Sequence, residues 1–309
     1  MNEREIVCAD LTAARAGLER EGFRLDVIYP ADDPHTLVLT RGGETVRLTS
    51  QPDAPRPSGE LPPFVPEFLV TRGGGSGEGR AGMLYRDLIP SRLGGRYIAS
   101  HITIPGGGPV ADWVHFHRIA LQLIYVRSGW VRVVYEDQGE PFAMEPGDLV
   151  LQPPGIRHRV LESSPALEVV EITCPALHET FADHDAALPT GRRDLLRDYG
   201  GQRFVRHIAA QTPWTPFQGA EAQETAIGAA TNGLAEVRTI RPVASTIEFA
   251  PHDGELVFGF VLDGSAHLEF GDGGDLAAGD AFVIPPKQAW SLTAATPDLR
   301  LLHVTTSIH

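Results

Sequence analysis

The sequence predicts a mainly β protein: two related β domains preceded by a small α/β appendage. Three observations predict it. Twenty-five prolines and 33 glycines in 309 residues, with only 21% charged residues, favour short strands joined by turns over long helices. From Met83 onward, short apolar runs alternate with glycine and proline turn signals. The second half then repeats the first. Gly147-Asp148-Leu149-Val150-Leu151-Gln152-Pro153-Pro154 is matched by Gly279-Asp280-Ala281-Phe282-Val283-Ile284-Pro285-Pro286, and Ile124 to Gly129 by Gly259 to Gly264. An internal repeat of this kind implies a duplicated structural unit.

Residues 1–50 form the appendage. Asp10 to Glu21 has Leu11, Ala14 and Leu18 at helical spacing and Gly22 as a stop. Phe23 to Tyr29, Thr36 to Leu39 and Glu44 to Leu48 read as short strands. One helix and a few strands make a poor independent core, so the appendage is expected to pack on the domain that follows. Residues 51–80 read as a connector, because six prolines fall within Gln51 to Pro66. Gly73 to Gly79 has the glycine density of a phosphate loop. It lacks the Gly-Lys-Ser/Thr ending and a strand-to-helix context, and reads as a flexible loop.

Residues 81–175 form the first β domain, with strands expected at Met83 to Leu88, Gly95 to Ile104, Leu121 to Val126, Trp130 to Tyr135, Leu149 to Gln152, His158 to Leu161 and Leu167 to Thr173. Residues 176–200 are more polar and form the inter-domain crossing, and residues 201–309 form the second β domain.

A formal net charge of −14 argues against a nucleic-acid backbone or an anionic membrane surface as partner, and favours a small-molecule substrate. No apolar run approaches the length that spans a bilayer, and the first residues lack a signal-peptide pattern, so a cytoplasmic location is expected. Cys8 and Cys174 provide no disulfide framework and read as ordinary thiols.

The chemistry concentrates at His115-Phe116-His117. In a strand the two histidines share one face, where two imidazoles can share a metal. Gln122 lies in the next strand, and His158 follows the Gly155 turn. Three imidazoles and a neutral amide oxygen suit one divalent transition ion, whether iron, manganese, nickel, cobalt or zinc. Gln122 either coordinates directly or orients a bound water. Weaker candidates for acid, base or substrate-binding roles are Arg96, His101, Tyr125 and Glu171. In the second domain, alignment from Gly264 and Asp280 puts Ala250, His252, Val257 and Trp290 where the first has His115, His117, Gln122 and His158. One histidine does not make a transition-metal site, so the metal is expected in the first domain only.

These motifs resemble the cupin superfamily, specifically a two-cupin chain. Gly106 or Gly108 through His115, His117 and Gly129 looks like the first cupin motif, with Gln122 standing where glutamate is usual. Glu145-Pro146-Gly147-Asp148 through Pro154 and His158 looks like the second. The resemblance covers Met83 to Thr173, more weakly Ala229 to Thr305, and leaves the appendage outside. It implies two jelly-roll barrels, the first holding a metal inside one end and the second degenerate and structural, with a homodimer as the expected assembly. Cupins include dioxygenases, isomerases, decarboxylases and cyclases as well as non-catalytic binding and storage proteins. Glutamine at this position resembles the pattern in some cupins that act on unsaturated uronates or polyketides without oxygen, while three-histidine sites also occur in cupin dioxygenases. The expected function is a metal-dependent enzyme acting on a small oxygen-rich organic molecule, by isomerisation, cyclisation, hydrolysis or dioxygenation. The alternative is a non-catalytic small-molecule-binding or structural protein.

Overall fold

In the computed structural model, which describes residues 2–79 and 82–308, the repeated sequence becomes a repeated hydrogen-bond pattern. In the first copy Val126 N–H donates to the Asp148 carbonyl (2.9 Å) and Gly147 N–H to the Val126 carbonyl (2.8 Å). In the second, Val261 N–H donates to Asp280 (2.9 Å) and Gly279 N–H to Val261 (2.7 Å). Each aspartate carboxylate closes its own turn, Asp148 accepting from Glu145 N–H and Asp280 from Ala277 N–H. Gly129 and Gly264 are required twice over. Their φ angles are +76° and +70°, and an added Cβ would strike Ser164 in one and Leu299 in the other.

Each copy is a jelly-roll barrel of two facing sheets. In the first, the sheet ordered Val205–His207, Leu149–Leu151, Leu121–Ser128, Leu167–Cys174, Ile98–Ile104, Leu84–Asp87 and Gly77–Glu78 faces one containing Thr180–Ala182, His115–His117, His158–Ser163, Val131–Tyr135 and Phe142–Met144. In the second, a seven-stranded sheet built around Arg300–Thr306 and Leu256–Asp263 faces Ile247–Phe249, Trp290–Thr293, Ser265–Glu269 and Gly274–Ala277.

The domain boundaries are more entangled than the linear division suggests. Leu69–Thr71, inside the expected connector, is the edge strand of the second barrel, paired with Ala281–Ile284. Val205–His207, assigned to the second domain, is the edge strand of the first barrel, paired with Leu149–Leu151. Each barrel thus covers an exposed sheet edge with chain from the neighbouring segment.

The central strands are buried on both faces, which is why they read as unbroken apolar runs. Along Leu121–Ser128, Leu121, Leu123 and Tyr125 enter a core shared with Leu256, Phe258, Phe260 and Leu262 of the second barrel. Gln122 and Ile124, on the opposite face, look into the first barrel. The second barrel has its own interior core around Val257, Val261, Phe282, Trp290 and Leu292.

The appendage helix is Leu11–Arg20. The Asp10 carboxylate caps it by accepting from Ala13 N–H at 2.8 Å, and Gly22 ends it at φ +89° with Phe23 N–H returning to Leu18. Its strands are not separate from the barrel. Arg24–Tyr29 pairs with Thr180–Ala182, which pairs with His115–His117, so one sheet runs from the appendage to the histidines. An additional strand, Asn2–Val7, pairs in parallel with Glu44–Thr49. Its charged sequence hid it, and Arg47, which reaches Glu3 at 2.8 Å, supplies the cross-strand contact an apolar pair would otherwise make. Among the described residues, no helix is long and apolar enough to cross a membrane.

The seam between barrels also holds a buried ion pair. Arg96 donates to both oxygens of Glu255 (3.0 and 2.8 Å) and to the carbonyls of Pro62 and Ile308, and Tyr97 donates to Glu255 at 2.9 Å. Glu255→Ala leaves the guanidinium, whose side chain is only 7% exposed, without its counter-charge. The expected outcome is a loss of about 3–5 kcal/mol in unfolding free energy, measured by urea denaturation; a change below about 1 kcal/mol would show that the pair adds nothing to the seam.

Candidate metal centre

His115 and His158 are directly opposed across neighbouring antiparallel strands, and His117 lies two residues along the same face. Strand geometry therefore converges all three rings: their centroids lie 4.2 Å (His115 to His158), 5.2 Å (His115 to His117) and 5.2 Å (His117 to His158) apart. One ligand nitrogen from each falls within 4.8 Å of the others, and all three residues are buried. Phe116 points the other way and stacks on Phe181.

The outer contacts of the rings fit a metal. His115 Nδ1 lies 2.8 Å from the Trp113 carbonyl and 3.5 Å from the Asp112 carboxylate. His158 Nδ1 lies 3.0 Å from the Ile156 carbonyl, and His117 Nδ1 lies 3.1 Å from Thr180 Oγ1. Carbonyl and carboxylate acceptors at Nδ1 select the tautomer that offers Nε2 as the ligand, the usual arrangement behind metal-bound histidine. Three neutral imidazoles in a barrel suit a divalent ion.

The histidines close one end of a cavity of about 90 Å³. Its walls are mainly apolar, including Ile102, Ile104, Val133, Met144, Leu167 and Val169. A polar chain starts on the histidine sheet, at Tyr135 opposite His158, and crosses to Gln122 and Glu171 on the facing sheet. Tyr135 donates to Gln152 Oε1 (2.5 Å), Gln152 Nε2 to Gln122 Oε1 (2.9 Å), and Gln122 Nε2 to Glu171 Oε1 (3.1 Å), which also accepts from Thr173 (3.1 Å). Burial pushes the Tyr135 hydroxyl far above its ordinary range, so it serves here as a neutral donor. Gln122 is thus fixed with its oxygen toward Gln152 and its nitrogen toward Glu171. A carbonyl oxygen has a second lone pair, so this bond leaves coordination chemically open.

The structure separates the remaining candidates. Glu171 faces the cavity but stands outside the three-histidine group. It provides a carboxylate that Gln122 alone would leave missing. Arg96, His101 and Tyr125 are not in the cavity wall. Strand alternation begins only at Ile98, after the turns that follow Leu88, so Arg96 precedes the strand and lies in the seam. His101 is on the outer face, 2.9 Å from Glu168. Tyr125 packs in the seam, where burial pushes its hydroxyl up to about 12. Trp113 joins the appendage core.

Sequence reasoning gave no cavity role to Ala31, Met83, Tyr85 or Gln152. Met83, Tyr85 and Gln152 fall on strand faces whose inward direction the alternation does not reveal. Ala31 comes from the turn after Tyr29, so the appendage contributes to the wall through a segment with no motif.

The second barrel shows what replaces the site. Strand pairing puts Phe249 opposite Trp290, as His115 is opposite His158. Alignment from Gly264 points to Ala250 instead, because Phe249 to Val257 is one residue longer than His115 to Gln122. Phe249 and Trp290 stack at 3.7 Å with their planes 2° apart, and His303 stacks on Phe249 at 5.5 Å. His303 occupies the position of Glu171, since it pairs with Gly259 as Glu171 pairs with Ile124. Gly259 leaves space for the Phe282 ring, which any Cβ there would strike.

Residues 100–173 match the family described as Cupin domain. No curated protein matches the chain. Among solved structures, the chain is similar to oxalate decarboxylase from Bacillus subtilis (TM-score 0.54, 10% identity, covering 84% of this chain and 79% of that one). It is also similar to a putative glyoxylate-induced protein from Pseudomonas aeruginosa (TM-score 0.57, 15% identity, covering 84% and 96%). A further structure of the Bacillus subtilis enzyme, whose description concerns its Mn(II) centres, matches at TM-score 0.53 and 12% identity, covering 84% and 81%. At such identities the likeness speaks to the fold alone.

His303 gives the second barrel a pH signature. Burial, reinforced by Arg238 and His252, pushes its pKa down from 6.5 to about 3. The native state therefore binds fewer protons than the unfolded chain between those values, and stability falls as pH drops through that window. His303→Leu is expected to reduce the acid slope by up to about 1.4 kcal/mol per pH unit below pH 6.5 and to leave the slope above pH 7 unchanged. Urea unfolding at several pH values checks it; parallel slopes for the two proteins would contradict it.

Proposed function

We propose that this chain, whose residues 100–173 match the Cupin domain family and whose fold is that of a two-barrel cupin, is a metal-dependent enzyme that moves a proton on a small organic carbonyl or enol compound in its first barrel. One observation carries the reading: three imidazoles from one sheet and the Glu171 carboxylate from the other face a single cavity. His115, His117 and His158 would hold the ion, with Gln122 beside them. When bound, a divalent metal supplies Lewis acidity toward a substrate oxygen. Manganese, named in the description of one structural neighbour, stands with iron, nickel, cobalt and zinc among the candidates.

The protein's own groups account for the rest. Glu171 Oε1 is occupied by two donors, Gln122 Nε2 and Thr173 Oγ1. These two donors fix the direction of the carboxylate, which leaves Oε2 as the oxygen that accepts a substrate proton. The apolar walls hold the substrate body and exclude water, where a charged base acts more strongly. The aliphatic lining narrows the expected oxygen-rich substrate to one whose oxygens cluster at one end.

Isolated protein is expected to carry about one transition ion per chain, with His115→Ala and His158→Ala each weakening retention at least about tenfold; elemental analysis checks this. Unchanged metal in both variants would remove the proposed centre. Glu171→Gln is expected to retain the metal and lower kcat by about 10²–10⁴-fold on a substrate found by screening enols, diketones, catechols and uronates with and without oxygen. Full activity in that variant, or strict oxygen dependence, would exclude proton transfer by Glu171.

A further inference from the structure

A second polar site lies outside the metal cavity, on the other face of the same sheet. Four neighbouring strands place Arg127, Glu168, His101 and Arg86 in a row. Arg127 donates to Glu168 at 2.7 Å, Glu168 lies 2.9 Å from His101 Nε2, and His101 Nδ1 lies 3.4 Å from Arg86 Nη2. Against this row sits the turn Ala278-Gly279-Asp280 of the second barrel, whose Gly279 carbonyl accepts from Arg86 Nη2 at 2.7 Å. The glycine-rich stretch closes the side, contributing Gly73, Gly74 and Ser76 to a cleft of about 330 Å³.

Arg86 Nη1 is buried and has no hydrogen-bond partner. Burial, and after it the nearby charge of Arg127, depresses the Arg86 pKa, so the two cations are held together at an electrostatic cost. The charged groups lining the cleft are Arg86, Arg127 and Asp280. Asp280 directs one carboxylate oxygen to Ala277 N–H, and Glu168 already serves Arg127 from behind. His101 is kept neutral by burial. Two guanidiniums, Arg86 and Arg127, line the cleft with the hydroxyls of Ser76 and Thr103, and the carboxylates near them are Asp280 in the lining and Glu168, paired with Arg127.

We propose that this inter-barrel cleft binds a phosphate group, with the Arg86 and Arg127 guanidiniums and the Ser76 and Thr103 hydroxyls as donors. Guanidinium geometry suits a tetrahedral oxyanion, and two arginines with hydroxyls are a common way of holding one. Because Tyr85, next to Arg86, lines the metal cavity, the bound group would brace the strand that carries both. The inference is independent of the reaction proposed for that cavity.

Isothermal titration of the full chain tests it, using inorganic phosphate and glycerol 3-phosphate in turn at constant ionic strength set by chloride. One saturable site per chain is expected. Arg86→Gln and Arg127→Gln are expected to weaken it at least about tenfold, while His115→Ala binds as the parent does, which separates this cleft from the metal centre. Ser76→Asp removes no hydrogen bond of the fold and adds a negative charge, so it should also abolish binding even if the arginine variants fold poorly. Tighter binding of the ester would assign the group to an organic phosphate, and equal binding to the free anion. No saturable heat with either probe, binding lost in His115→Ala, or unchanged binding in Ser76→Asp would overturn the proposal.

Discussion

The double burial of Leu121–Ser128 is the constraint on which the rest of the structure depends. One face of this strand is pressed into the second barrel through Leu121, Leu123 and Tyr125, and the other looks into the cavity through Gln122 and Ile124. A slip of one residue would put Gln122 into the apolar seam and Tyr125 into the cavity, stranding an amide without its partners. The seam therefore fixes the register of the polar chain from Tyr135 to Glu171. The second barrel, with aromatic rings in the positions of the histidines, thus still shapes the site in its neighbour.

The same reasoning explains the second barrel. Its central strand, Leu256–Asp263, must supply the other half of the seam, and Leu256, Phe258, Phe260 and Leu262 do so. Nothing then requires a polar interior. Phe249, Trp290 and Phe282 fill the space that histidines line in the first barrel, and Gly259 makes room for them. His303 is the polar remnant, buried with Nδ1 unpartnered. Burying aromatic rings in place of a ligand set exchanges metal binding for packing, which suits a barrel whose task is to present one rigid face.

Much of this was legible in the sequence because the relevant signals are local. Alternation put His115 and His117 on one face, and the repeated Gly-Asp turn marked both barrels. The three histidines meet because His115 and His158 become direct strand partners, a long-range fact that the turn chemistry around Gly155 only hinted at. Illegible were the features that depend on which face of a strand looks inward. Glu171 and Tyr125 looked equivalent as candidates, yet one faces the cavity and the other the seam. Arg96 sits in the turn before Ile98–Ile104, where no alternation indicates which way its side chain goes. The exchanged edge strands, Leu69–Thr71 and Val205–His207, are too short for periodicity and exist only because a neighbouring edge needs a partner. The charged strand Asn2–Val7 was hidden because its side-chain contacts include ion pairs, such as Glu3 with Arg47, that carry no apolar pattern.

Moving the carboxylate from the position of Gln122 to that of Glu171 has a definite chemical meaning. A carboxylate in the place of Gln122 would neutralise part of the charge of a bound ion and be tied to it. An amide there leaves the ion more electrophilic. It also donates its N–H to the carboxylate one strand away, a bond a glutamate could not make without being protonated. In the proposed reaction, acid and base roles would fall on different groups: an ion held by the histidines would supply Lewis acidity, and Glu171, outside the histidine cluster, would accept the proton. Separating the two across a cavity with apolar walls would let each act on a substrate held between them, where two groups bound directly to each other would cancel.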